Sequence, residues 1–134
     1  MPLVRIDLQE GKPAGYVRAI ADAVQRAMVD CLAVPARDHF QVITAHAPDH
    51  LIYDLGYLDI ERTDDIVLVQ VTLSAGRGTE QKQAFYARLA VLLREDPGLR
   101  PEDLAVVMVE NTREDWSFGN GEASYVVRPQ EQWR

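Results

Sequence analysis

Polar and apolar positions alternate at the head of the chain. Over residues 2–8, Leu3, Ile6 and Leu8 are apolar while Arg5 and Asp7 are polar, the period of a half-buried strand. Residues 9–13, Gln-Glu-Gly-Lys-Pro, break that pattern, and the period then lengthens. Val17, Ile20, Ala21, Val24, Ala27, Met28 and Cys31 recur at helical spacing, so residues 14–32 are predicted to form a helix with one apolar face. Pro13 suits its first turn, and Val34-Pro35 stops it, because the residue before a proline avoids helical angles. A strand is expected at about 39–45 (Phe40, Val42, Ile43) and a short hairpin at 50–60. Residues 66–73, Ile-Val-Leu-Val-Gln-Val-Thr-Leu, are almost uniformly apolar, as in a strand buried on both faces. A loop at 74–78 leads into a helix over 79–95, with Thr79 as its N-cap and Phe85, Leu89 and Leu92 as its stripe. Pro97-Gly98 ends that helix. A last long strand is expected at 104–110, then a turn at 116–121 and a polar tail over 128–134.

The order β-α-β, repeated, points to a duplication. An offset of 65 carries Gly11-Lys12 onto Gly76-Arg77, Val34 onto Leu99 and Asp38 onto Asp103, with few identities but the same pattern of elements. The expectation is a single α+β domain over residues 1–134, with pseudo-repeat halves at about 2–65 and 66–127. Each half supplies a strand, a right-handed crossover helix and a parallel strand. Two fused β-α-β units then make a four-stranded mixed sheet with both helices on one face. The other face carries apolar side chains, so burial by oligomerisation is expected.

Composition narrows the partners. A net charge of −7 with interleaved acidic and basic residues disfavours nucleic acid and anionic membranes. No apolar run reaches the length of a membrane span, and the first residues lack the pattern of a secretory signal. A single cysteine, Cys31, excludes an internal disulfide and fits a reducing compartment, so a cytoplasmic location is expected.

Several segments resemble the tautomerase superfamily. These are Pro2 after the initiator Met, Gln9-Glu10-Gly11-Lys12 after the first strand, Gly76-Arg77-Gly78-Thr79-Glu80-Gln81-Lys82, and Phe118-Gly119-Asn120-Gly121. The likeness is greater to the fused, double-length branch, and within it to the malonate semialdehyde decarboxylases. It is carried by Val34-Pro35-Ala36-Arg37-Asp38, Ile60-Glu61-Arg62-Thr63-Asp64 and Asp115-Trp116-Ser117-Phe118-Gly119. That resemblance implies a homotrimer without cofactor or metal, and catalysis by the N-terminal proline, the aspartate of the Pro-x-x-Asp turn and two arginines before the second helix. Pro2 and Asp38 match. Arg77 matches the second arginine, but the first falls on Ala75. The related dehalogenases also need a histidine in the first helix, and His39, His46 and His50 all lie elsewhere.

The residues themselves can support such chemistry. Removal of Met1 would leave Pro2 as a secondary amine at the chain end, where an α-amino group titrates near pH 7.7–8.0. Burial lowers that pKa toward a neutral base, whereas a nearby carboxylate holds the amine cationic. A retained Met1 would cap the nitrogen and block the chemistry. Asp38 has two readings: it caps the turn after Pro35, or it faces Pro2, keeps the amine protonated and positions water or substrate. Arg77, in a Gly-Arg-Gly loop at a helix start, is either solvated or part of an anion site for a carboxylate. Arg5 and Arg62 are alternative carboxylate partners. Trp116, Phe118 and Tyr125 either wall the proline from water or serve as plain core aromatics. His46 and His50 flank Pro48 at metal-like spacing without a third ligand, so no metal is expected there. Cys31 fits the core.

Together these features point to a cofactor-independent lyase or tautomerase acting on a small oxo acid, with Pro2, Asp38 and Arg77 as its working groups. Asp38 favours decarboxylation of a 3-oxo acid, and the missing first arginine favours a broad keto–enol tautomerase. A non-catalytic trimeric homologue that kept only the fold is the remaining alternative.

Overall fold

Residues 2–128 are described by a computed structural model. The alternating segment forms β1 (Leu3–Gln9), which turns Val4, Ile6 and Leu8 inward and leaves Arg5 exposed on the other side. Gly11, at φ +107, swings the chain out of the sheet through a conformation that a Cβ would strain. The helix α1 (Ala14–Leu32) then has the predicted bounds and buries Ile20, Val24, Ala27, Met28 and Leu32. Pro13 stands at its N-cap, one position before the first turn, and Ala33 ends it in a left-handed conformation whose N–H bonds the Met28 carbonyl.

The remaining strands are β2 (Gln41–His46), β3 (Val67–Ser74) and β4 (Leu104–Asn111), with α2 (Thr79–Glu95) between the last two. The sheet order is β2-β1-β3-β4. β1 pairs with β2 and β3 with β4 in parallel, while the central β1–β3 pair is antiparallel. Two β-α-β units therefore meet edge to edge, as the repeated pattern predicts. The helices start 65 positions apart, at Ala14 and Thr79, whereas the first strands of each unit start 64 apart, at Leu3 and Val67.

Both helices pack on the same side. Val4, Ile6, Val69, Val71 and Leu73 of the central strands meet Val24, Met28, Phe85 and Leu89 in one core. Each such side chain, fully buried, stabilises the fold by roughly 1.5–3 kcal/mol. Among the described residues no helix is long and apolar enough to cross a membrane.

Three expectations need correction. Strand β3 is covered on one face only: Val67, Val69, Val71 and Leu73 are buried, but Gln70 is exposed. Its apolar composition reflects Leu68 on the open face, paired with Ala105 of β4, a strand whose Val107 and Val109 are exposed further along. Thr79 is the first helical residue of α2, and Gly78 holds the N-cap position, its N–H bonding Gln81 Oε1 at 3.2 Å. Residues 50–60 form no hairpin. They follow single 3-10 turns at Pro48–His50 and Tyr57–Asp59, with Leu58 and Asp59 at positive φ. The backbone there is satisfied locally: Arg62 Nη1 donates to the carbonyls of Tyr57 and Ile60, and Asp54 Oδ2 accepts from Gly56 N–H. The tail beyond Arg128 lies outside the described residues.

Candidate active site

One end of the sheet gathers most of the residues singled out from the sequence. Pro2 is buried at the head of the central strand β1. Carried one step past Leu3↔Thr72, the antiparallel register sets it beside Leu73. Carried back two steps from Val4↔Gln41, the parallel register sets it beside His39, next to Asp38.

Asp38 closes the turn that follows α1, its N–H bonding the Pro35 carbonyl at 3.0 Å. The turn is thus closed by backbone, and the half-buried carboxylate is not what caps it. Gln25 of α1 clamps the segment from below, donating from Nε2 to the carbonyls of Ala36 (3.3 Å) and Asp38 (3.1 Å). Burial raises the Asp38 carboxyl above its ordinary value, while the positive chain-terminal amine and the Arg77 guanidinium oppose that rise.

Arg77 reaches the same place from the other half. Gly76, at φ +131, turns the chain after β3, and Arg77 folds back under it. Its Nε donates to the Leu32 carbonyl at 2.8 Å and its Nη1 to the Ser74 carbonyl at 3.1 Å. The guanidinium is therefore held at the carbonyl end of α1, where a helix favours positive charge. The sequence had paired it with the N-terminus of α2 instead. A guanidinium carries five N–H donors; among the described residues only these two are engaged. Burial lowers the Arg77 pKa, and Tyr125, Asp38 and Glu110 counter that drop.

Aromatic rings close the site. Phe118 stacks on Trp116 (centroids 5.4 Å apart) and on Phe40 (6.0 Å), and Tyr125 meets it edge-on at 5.4 Å. The strap that carries them is tied by Phe118 N–H to Ser124 Oγ (2.9 Å) and by Ser124 N–H to the Trp116 carbonyl (3.1 Å). Trp116 Nε1 donates to Asn111 Oδ1 at 2.8 Å, which fixes the indole over the end of β4. The Tyr125 phenol is pushed up to about 12 by burial and then by the Asp38 charge, with Arg113 and Arg77 pulling the other way. It stays protonated at neutral pH. Asp38, Arg77 and Tyr125 thus share one electrostatic field, with Arg113 at its edge.

Other candidates lie elsewhere. Arg5 is exposed on the open sheet face, paired in register with Val42 and Gln70. Arg62 sits near the opposite end of the sheet and spends its guanidinium on loop carbonyls. Ala75 is exposed, with its N–H on the Asn111 carbonyl at 2.8 Å. His46 pairs with Asp7 at 2.6 Å on the open face, and His50 is exposed. Among the described residues no group of three or more His, Cys, Asp or Glu is placed to hold a metal ion. Cys31 packs partly buried against the core.

Sequence reasoning missed Gln25, Phe40 as part of the wall, Ser74 and Asn111. Only Gln25 left a signal, a polar residue in the apolar stripe between Ala21 and Met28.

Two β-α-β units in one four-stranded sheet, with Pro2 at the head of a central strand, place the chain in a class that the comparisons make specific: it belongs to the tautomerase family. Two family profiles described as "Tautomerase enzyme" match it, one over residues 38–119 and one over residues 2–54. The probable tautomerase YusQ of Bacillus subtilis (strain 168) is 36% identical over 126 residues, covering 94% of this chain and 99% of the relative. Among solved structures, malonate semialdehyde decarboxylase, studied for its decarboxylase and hydratase activities, superposes with a TM-score of 0.88 at 36% identity. That match covers 92% of this chain and 95% of the other. FG41 malonate semialdehyde decarboxylase, inhibited by 3-bromopropiolate, gives a TM-score of 0.87 at 42% identity, covering 92% and 94%. A fused 4-OT symmetric trimer shares the fold at 23% identity, with a TM-score of 0.76 over 94% of this chain and 99% of that one.

Proposed function

We propose that this protein is a cofactor-independent lyase of small 3-oxo acids, working as a malonate semialdehyde decarboxylase does. The observation that carries the reading is the meeting of Pro2, Asp38 and Arg77, from three separate segments, at one end of the sheet. Arg77 holds the substrate carboxylate with its unengaged N–H groups. Asp38 keeps the Pro2 amine protonated, and the cationic amine faces the 3-oxo group. When the bond between the carboxylate carbon and C2 breaks, its electron pair moves into an enolate, whose negative oxygen the Pro2 cation stabilises. Carbon dioxide leaves, and C2 then takes a proton. Trp116, Phe118 and Tyr125 exclude water, which strengthens each of these charge interactions.

The second reading is a broad keto–enol tautomerase of 2-oxo acids. Ala75 favours it, because the site lacks the first arginine of the decarboxylase pattern, and the match to a probable tautomerase agrees. A non-catalytic homologue would share the fold but not the need for a free Pro2 nitrogen. The experiment assays malonate semialdehyde and phenylenolpyruvate side by side with Pro2→Ala as control. Faster Pro2-dependent loss of carbon dioxide supports the lyase. Faster Pro2-dependent ketonisation supports the tautomerase, and full turnover by Pro2→Ala excludes both.

The assembly belongs to the same proposal. Val42, Val107 and Val109 are exposed on the uncovered sheet face, and packing against two further copies in a homotrimer would bury them. The expected setting is the cytoplasm, with a small oxo acid as the only partner besides the chain's own copies.

A further inference from the structure

Ser74, the last residue of β3, brings a hydroxyl to the candidate site with nothing to bond. The residue is only 9% exposed, and its Oγ has no hydrogen-bond partner among the described residues. A buried hydroxyl in that state is costly, and a methyl group would avoid the cost. Its backbone, by contrast, is committed. The Ser74 carbonyl accepts from Arg77 Nη1 at 3.1 Å. Across the ladder Ser74 pairs with Asn111, the residue whose Oδ1 anchors the Trp116 indole at 2.8 Å. By strand alternation the hydroxyl shares a face with Asn111, at the sheet end to which Arg77 and Trp116 are tied.

Its place along the strand matters equally. The β1–β3 ladder runs to Leu3↔Thr72, which puts Pro2 beside Leu73 and Ser74 one residue step further on. That step is about 3.3 Å, toward the side where the Pro2 nitrogen lies. In a chain beginning at Pro2, no residue of β1 pairs with Ser74.

We infer that Ser74 Oγ is a substrate contact, donating its proton to an oxygen of the oxo acid whose carboxylate Arg77 holds. This rests on the carboxylate site proposed above. The residue next to Ala75 thus supplies a donor that the absent arginine does not, without adding a second positive charge.

The test uses 3-hydroxypropionate, an unreactive analogue of a 3-oxo acid, titrated calorimetrically into the wild type and into Ser74→Ala, Ser74→Thr and Arg77→Ala. Ser74→Ala is expected to weaken binding about ten-fold, the effect of one hydrogen bond to a charged group. Its melting temperature should be unchanged or higher, since no protein partner is lost, and Ser74→Thr should recover most of the affinity. Wild-type affinity in Ser74→Ala, with binding lost in Arg77→Ala, overturns the Ser74 contact and leaves the carboxylate site standing. A lower melting temperature in Ser74→Ala with unchanged affinity makes the hydroxyl structural and also overturns it. Unaltered binding in Arg77→Ala, or none in the wild type, removes the carboxylate site and the Ser74 assignment with it.

Discussion

The two ends of the central strand pair hold matching places in the two β-α-β units, yet they have opposite fates. At one end stand Pro2, Asp38 and Arg77. The matching positions at the other are the head of β3, Asp103 and Lys12, each related by the offset of 65 or nearly so. Asp38 is half-buried, with its carboxylate in the field of a chain-terminal amine and a guanidinium. Asp103 is fully buried and spent on its neighbours. It accepts from Thr63 N–H at 2.6 Å and from Thr63 Oγ1 at 2.7 Å, with Arg100 at 3.7 Å. Arg77 is half-buried, whereas Lys12 reaches outward to an exposed pair with Asp65 at 2.6 Å. The difference follows from chain continuity. In the proposed function, removal of Met1 would let β1 begin at the Pro2 amine. β3 begins at a peptide bond, and the chain running into it supplies the groups that satisfy Asp103. One module thus yields an end proposed to be reactive and an end that is structural.

Substitutions can break that contrast, and the largest effect belongs to the amine. Pro2→Ala is expected to lower kcat by about 100-fold or more, the scale of a lost general acid or base, with little change in urea midpoint. Asp103→Ala should do the reverse. It orphans a buried N–H and a hydroxyl, so unfolding by urea should show a loss of about 3 kcal/mol, with normal turnover per folded molecule. Asp38→Asn should cut kcat/KM by about 10- to 100-fold while raising stability at neutral pH. The sign follows from the raised carboxyl pKa. Between the ordinary value and the raised one the folded state binds more proton than the unfolded state. Wild-type stability therefore falls as pH climbs through that window, and the advantage of Asn should vanish in acid. Thermal melts across that range check it. Gln25→Ala, which frees two carbonyls of the Asp38 turn, should cost about 1 kcal/mol and shift the pH–rate profile, not merely its height. Lys12→Ala sits last: its exposed pair is worth less than about 1 kcal/mol, and activity should be unaffected.

Much of the fold was legible because two periods dominate the chain. The helical stripe from Val17 to Cys31 and the alternation around Ile6 each fixed an element, and the break at Val34-Pro35 fixed a boundary. Residues 50–60 were misread because Asp54 and Arg62 satisfy that backbone with side chains, a solution that leaves no periodic trace. At the site, Pro2, Asp38 and Arg77 were legible through motif likeness. The direction of Arg77 was not, since its bond to Leu32 joins segments 45 positions apart. Ser74 was invisible for a related reason: a serine at a strand end is ordinary until the register places it one step past the proline.

The pH dependence of kcat/KM on malonate semialdehyde tests the Pro2 amine most directly. If the protonated amine is the working group, activity should fall on the alkaline side through a single ionisation that Asp38→Asn moves to lower pH. A flat alkaline limb in the wild type, or one that Pro2→Ala reproduces at full rate, would contradict it.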